Sequence, residues 1–392
     1  MADQFLHGAE VVEIDNGTRA IRTPKSSVQF FCGTAPDADS AKVPLNEPVL
    51  IDSAATAAAL GATGTLPDCF RAAHAQGYPL SVMVRVAEDA DPATQIANVV
   101  GDAAAMTGVH AALGAGSVLG IEPRIFSAPG FTGARIDNAA NPVGAAMKGL
   151  VEKARGTLII DGPNTTEADA IAARADYGSS RVYMVDPAVK VFLDGQTVIR
   201  PASAYASALI AKRDHEKGAW WSPSNQIIAG ITGPARPIPF GLSARDLEAN
   251  RLNENEIATI VHSMGYRLWG NRTTSSDPNW AFINVRRMAD LIYDAVERAF
   301  LWAMDRPLTA QLILDIQNSV DAYLRHLKAL GAILGGRSYL DPELNTPTTL
   351  KAGKLYIDFD IEPPAPLEHL TFRAFRNGAY YEELTSNTLL AA

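Results

Sequence analysis

The stretch from Leu252 to Asp290, LNENEIATIVHSMGYRLWGNRTTSSDPNWAFINVRRMAD, limits the folds open to this chain more than any other feature. Its centre, Gly265 to Thr273, predicts a short strand ending in a glycine turn. Asp277-Pro278 follows, and Asn279 is a candidate cap for a helix. In that helix Val285, Met288, Ile292, Val296 and Phe300 recur every three to four residues, the spacing of one buried stripe. A strand, a tight turn and a long amphipathic helix joined this closely divide the chain into an alternating α/β half and a helical half.

The preceding half has the layered pattern. Val28–Cys32, Pro48–Ile51, Leu80–Val86, Pro123–Pro129, Thr157–Ile160 and Arg181–Val185 read as strands. Between them, helical stretches are expected over 53–76, from Pro92 onward, and over 140–155, 165–177 and 201–217. That order predicts a layered, mainly parallel α/β sheet domain with covering helices. At 392 residues the chain exceeds the size at which a single core keeps growing, so more than one domain is expected. The Pro- and Gly-rich run from Trp220 to Phe240 marks a crossing between domains.

After the dividing stretch, Pro307 is expected to open a second long helix with Leu312, Ile316, Val320, Tyr323 and Leu327 on one face. The next segment, LYIDFDIE, alternates strictly. Leu355, Ile357, Phe359 and Ile361 face one way, and Asp358, Asp360 and Glu362 the other, before Pro363-Pro364 ends the run. The helical half is thus an α+β domain with two long helices. The division expected is an N-terminal strand arm 1–24, an α/β domain 25–225, an α+β domain 226–374 and a C-terminal arm 375–392. The segments around Val11, Val12, Ile14 and Ile21 carry too few apolar residues to stand as a hairpin alone, so they need a sheet to join.

Signs of chemistry are sparse. Gly114-Ala-Gly116-Ser-Val-Leu-Gly120 follows an Ala-rich helical stretch where a dinucleotide fingerprint needs a strand, and neither a phosphate-binding lysine loop nor a nucleophile elbow is present. Seven histidines stand far apart and two cysteines are isolated, so neither a metal site nor a cofactor is expected. Asp161 and Asp186 sit at strand ends, where catalytic carboxylates occur but turn formers and caps occur more often. A net charge of -9 without a Lys/Arg cluster argues against nucleic acid as a partner. The opening MADQFLHGAE has no signal-peptide pattern, and no run approaches a membrane span, so direct membrane insertion is not expected.

The motif order LN-x-N-x-I, G-x-R-x-WG-x-RT and DP-x-W-x-F-x-NVRR resembles the contractile-tail sheath proteins of bacteriophages and phage-like R-type bacteriocins. LKAGKLYIDFDIEPPAPLEHLTFR near the C-terminus and HGAEVVEIDNGTRAIRTPKSSV near the N-terminus are similar as well. The resemblance implies a structural subunit without catalytic activity. Copies stack as hexameric rings around a tail tube and contract to drive the tube through a bacterial envelope. The implied partners are copies of the chain, the tube protein, and baseplate and tail terminator proteins. The implied location is the virion tail, assembled in the host cytoplasm.

It further implies an inner helical domain against the tube, an outer α/β domain, and terminal arms that add strands to neighbours. On that basis Val11, Val12, Ile14, Ile21, Leu355, Ile357, Phe359, Ile361 and Phe372 are candidate arm residues. Arg286, Arg287, Arg325 and Lys328 are candidate tube contacts from their helical settings. For Arg286 and Arg287, outward contacts with carboxylates compete with intrahelical pairing to Asp290. The competing expectation is an α/β hydrolase or nucleotide-dependent enzyme with a helical C-terminal domain.

Overall fold

The computed structural model describes residues 20–382; Val11, Val12 and Ile14 therefore lie outside the described residues. In chain order the first part comprises β1 (Gln29–Thr34), β2 (Pro48–Ile51), α1 (Ala54–Ala57), α2 (Thr65–Ala75), β3 (Ser81–Val86), α3 (Pro92–Val100), α4 (Ala115–Leu119), β4 (Ile125–Ser127) and α5 (Pro142–Ala154). It continues with β5 (Thr157–Asp161), α6 (Glu167–Ala175), β6 (Val182–Val185), β7 (Val189–Leu193), β8 (Gln196–Arg200), α7 (Ala202–Lys217), β9 (Gln226–Ile227), β10 (Gly233–Pro234), α8 (Glu248–Glu254), β11 (Ile257–His262) and β12 (Tyr266–Trp269).

Nine of these strands form one sheet in the order β2-β3-β1-β4-β5-β6-β11-β12-β9. The six from β3 to β11 are mutually parallel, while β2 at one edge and β12 beside β11 run against them, and the edge strand β9, antiparallel to β12, returns to their direction. The strands read as unbroken apolar runs because both faces are covered. Phe31, Met83 and Ile159 belong to the core under α2 and α7, whereas their neighbours Phe30, Val82, Leu158 and Ile160 belong to the core under α3, α5 and α6.

The sheet continues past the expected boundary at 225/226. β11 pairs with β6, and β12 with β11, so residues 226–269 complete the α/β unit. The glycine turn after β12 lies where the sequence places it, with Gly270 at φ 132°. The expected helix over 53–76 is broken, because Gly61 and Gly64 take φ 75° and 95° and separate α1 from α2. The hairpin β7-β8 turns on Asp194-Gly195, both at positive φ, a pairing of turn residues that announces a hairpin.

The remaining elements are α9 (Ile283–Ala299), α10 (Ala310–Ala329), β13 (Gly335–Leu340), α11 (Pro347–Lys351) and β14 (Ile357–Glu362). Thr309, not Pro307, caps α10, and Asp277 caps a short turn at Asn279, so α9 starts only at Ile283. Met288, Ile292, Val320, Tyr323 and Leu327 of the two helices build a third core, onto which Phe359, Ile361, Ile21 and Trp220 pack.

Candidate assembly surface

Arg124, Arg155 and Arg181 stand at the starts of β4, β5 and β6, three adjacent strands at one end of the sheet. Adjacent strands are about 4.8 Å apart and four residues of helix rise about 6 Å, so acids at i, i+4 on a crossing helix can meet successive strands. α9 meets that requirement. Arg181 binds Asp290 at 2.9 and 2.7 Å, Arg155 binds Asp294 at 3.1 Å and also Glu297, Arg124 pairs with Asp294, and Arg298 pairs with Glu122. Burial works against the charge of Arg181, but Asp290 and Glu152 more than offset it and hold its pKa above the usual arginine value.

Arg286 and Arg287 belong to this seat. They are only 8% and 5% exposed, and each is paired inside the chain, Arg286 with Asp290 and Arg287 with Asp214. Arg286 also lies over the Trp280 ring at 4.2 Å. Intrahelical pairing therefore prevails at Arg286, and neither residue is a free outward cation in this chain. The physical reason is desolvation: with α9 sandwiched between the sheet and the third core, a charge there needs an internal partner. Arg325 and Lys328, in contrast, are exposed near the C-terminal end of α10 and form no ion pair among the described residues.

The strand expected over 355–362 forms, but it pairs within its own chain, Ile357 to Leu340 through Glu362 to Gly335. Phe359 and Ile361 reach the third core, while Leu355 lies just before the strand. β14 thus belongs to a resident two-stranded hairpin. Ile21 also packs on the third core, and nearby Thr23 bonds Tyr323 at 2.8 Å. Beyond Glu362 the chain has no regular element through Asn377. Leu367, Leu370, Phe372 and Phe375 lie on it, with Phe372 85% exposed.

The opposite, C-terminal end of the parallel strands is where α/β enzymes place their sites. Here Asp161 accepts from the Ser203 amide and hydroxyl, both at 2.8 Å, and from the Gly130 amide at 3.1 Å. Asp186 takes the Asn164 amide at 2.8 Å and Arg236 at 2.5 Å. Both carboxylates thus tie loops and the start of α7 to the sheet. Burial is the leading influence on each and raises its pKa. The glycine loop 114–120 is helical in α4 and ends at Gly120, not at a phosphate-binding turn. No group of three or more metal-ligating side chains occurs among the described residues, and none of their helices is long and apolar enough to cross a membrane.

The architecture is that of the sheath subunits of contractile injection systems. The anti-feeding prophage helical sheath in its contracted state superposes with a TM-score of 0.70 at 18% identity, covering 96% of this chain and 100% of that one. The sheath complex of an extracellular contractile injection system, PVC, in its contracted state gives 0.68 at 18% identity, covering 97% and 100%.

Residues 104–274 match the phage tail sheath protein central domain, and residues 275–375 the phage tail sheath C-terminal domain. A putative prophage major tail sheath protein of Pseudomonas aeruginosa (strain UCBPP-PA14) is 39% identical over 375 residues, 94% of this chain and 96% of that protein. The tail sheath protein of Escherichia phage P2 is 35% identical over 399 residues, 98% of each chain. The chain belongs to the phage tail sheath family.

The sheath-like reading of the sequence thus holds. No sequence pattern announces the ionic seat of α9, although Arg124 and Arg181 stand directly before apolar runs and Arg155 two residues before β5. The Arg272–Glu368 pair, at 2.6 Å, carried no local pattern.

Proposed function

We propose that this chain is the structural subunit of a contractile tail sheath. Copies assemble as stacked hexameric rings around a tail tube, bounded by baseplate and terminator proteins, and contract to drive the tube through a bacterial envelope. The particle is a virion tail or a related phage-derived machine, assembled in the host cytoplasm. One observation carries the reading: an extended segment beyond Glu362 holds large apolar side chains out in solvent, in a chain whose two-stranded hairpin is marginal as a sheet. Each such side chain would contribute about 1.5–3 kcal/mol on burial against a neighbour.

In this reading the resident hairpin is the acceptor, and the terminal segments around Val11, Val12, Ile14 and Phe372 are the donors. The α9 seat keeps each subunit rigid, so motion during contraction falls on the arms. Arg325 and Lys328 are the candidate tube contacts, since exposed cations can exchange a partner for water at small cost. Negative-stain microscopy and sedimentation of the purified full chain test this. Helical tubes or stacked rings are expected, and a variant lacking residues 1–24 that still builds regular tubes would overturn the role of the N-terminal arm.

A further inference from the structure

Around α9, Arg181, Arg286 and Arg287 each meet a carboxylate, as a cation drawn out of water requires. The cleft between the second half of α7 and the strands β9 and β12 departs from that rule. It has a volume of about 250 Å3, and Lys212, Arg213 and Arg267 line it with Glu216 as the one acid in its lining. None of these cations forms an ion pair among the described residues. Asp214, next to Arg213, is committed to Arg287, and Glu216 comes within ion-pair distance of none of the three.

Neutral groups hold the two guanidiniums in place. Arg267 donates from Nε to the Ser263 carbonyl at 2.8 Å and from Nη1 to the Asn225 carbonyl at 2.8 Å, which leaves its Nη2 without a bond among the described residues. Arg213 lies over the Trp221 ring at 4.8 Å, and its Nε is buried without a hydrogen-bond partner. A carbonyl or a ring face fixes a guanidinium without cancelling its charge. Donors fixed in this way lose little freedom when an anion arrives, and their planar fork matches phosphate oxygens.

Charge and size narrow the ligand. Three cations against one acid leave an excess of two positive charges, in a chain whose net charge is -9. A dianion neutralises that excess, whereas a single carboxylate does not. The volume lies below the roughly 300–1,000 Å3 of sites that enclose drug-sized ligands, so the cleft suits a small anion. Leu209 and Ile227 add an apolar wall, beside which a charge-assisted bond is less screened than in open water.

We propose that the cleft between α7 and β9 binds a small phosphate dianion, with Arg213 and Arg267 as the orienting donors and Lys212 as the third charge. The inference does not depend on the assembly reading above. Its test is calorimetric titration of the purified full chain with inorganic phosphate at about pH 8, above the second phosphate pKa, against sodium chloride of equal ionic strength. Saturable binding at one site per chain is expected. Lys212→Gln combined with Arg213→Gln should weaken it by about tenfold or more. Glu216→Gln, which removes the one acid, should tighten it, and Arg325→Gln with Lys328→Gln, at exposed cations elsewhere, should leave it unchanged.

Melting of each variant in chloride alone reads its folding. Should the double variant melt early, Lys212→Gln by itself carries the test, since that side chain has no partner to lose, and a several-fold weakening is expected. Absence of saturable binding by the parent chain would overturn the site, as would binding that the cleft substitutions do not move or that Glu216→Gln weakens. Citrate bound as tightly as phosphate would overturn the choice of phosphate over carboxylate.

Discussion

Arg181 grips Asp290 with two nitrogens of its guanidinium, Nε at 2.9 Å and Nη2 at 2.7 Å, and thereby fixes the start of β6 to the middle of α9. Asp290 is 3% exposed and also serves Arg286. Removing it leaves Arg286 without its carboxylate and Arg181 with Glu152 alone, in a desolvated junction. Asp290→Ala should therefore lower stability by about 3–5 kcal/mol. Urea unfolding followed by circular dichroism reads this, and a change under about 1 kcal/mol would mean that the pair is solvated.

Gly270 closes β12 at φ 132°, and a Cβ there would meet the Ala258 Cα at 2.8 Å. Strand β11 cannot move aside without disturbing its pairing to β6 and β12. Gly270→Ala should cost about 1–3 kcal/mol from backbone strain and crowding. A melting temperature equal to that of the parent chain would show that the turn relaxes freely.

Burial raises the Asp161 pKa, although the bonds from Ser203, Gly130 and Thr132 pull it down. A folded-state pKa above the unfolded one gives stability that is fully present below the ordinary carboxylate range and is lost as pH rises through the raised value. Asp161→Asn removes this titration. The stability gap between parent and variant should therefore be wider at acid pH than at neutral pH. Denaturant titrations at both pH values check the sign, and a gap that widens toward neutral pH would refute it.

Leu370 and Phe372 lie outside every core of their own chain. Replacing both with Ser should leave monomer melting unchanged, since exposed positions contribute within about 0.5 kcal/mol. If they are buried between copies, the same change should abolish tubes in sedimentation. Unaltered tube yield would remove this segment from the assembly.

Arg325 and Lys328 are exposed at the C-terminal end of α10, where cations suit the helix dipole. Reversing both to Glu should weaken sheath formation on purified tubes, steeply so at low salt, with at most about 1 kcal/mol lost from the monomer. Equal co-sedimentation of parent and variant would exclude them as tube contacts.

Local pattern alone determined much of this protein: the unbroken apolar runs of β1, β3 and β5, the alternation of β14 and the buried stripes of α9 and α10. Burial on two faces, one face or one stripe writes its own period into the chain, and Gly270 marks a turn by its backbone freedom. The motif order around Gly265–Thr273 likewise sufficed for the family. Tertiary structure alone decided that β11 and β12 join the first sheet, that β14 pairs with β13 in the same chain, and that Arg286 and Arg287 face inward. Strand pairing and the partner of a charge depend on which distant segments meet, and residues as remote as Arg124 and Asp294, or Arg272 and Glu368, carry no shared period along the sequence.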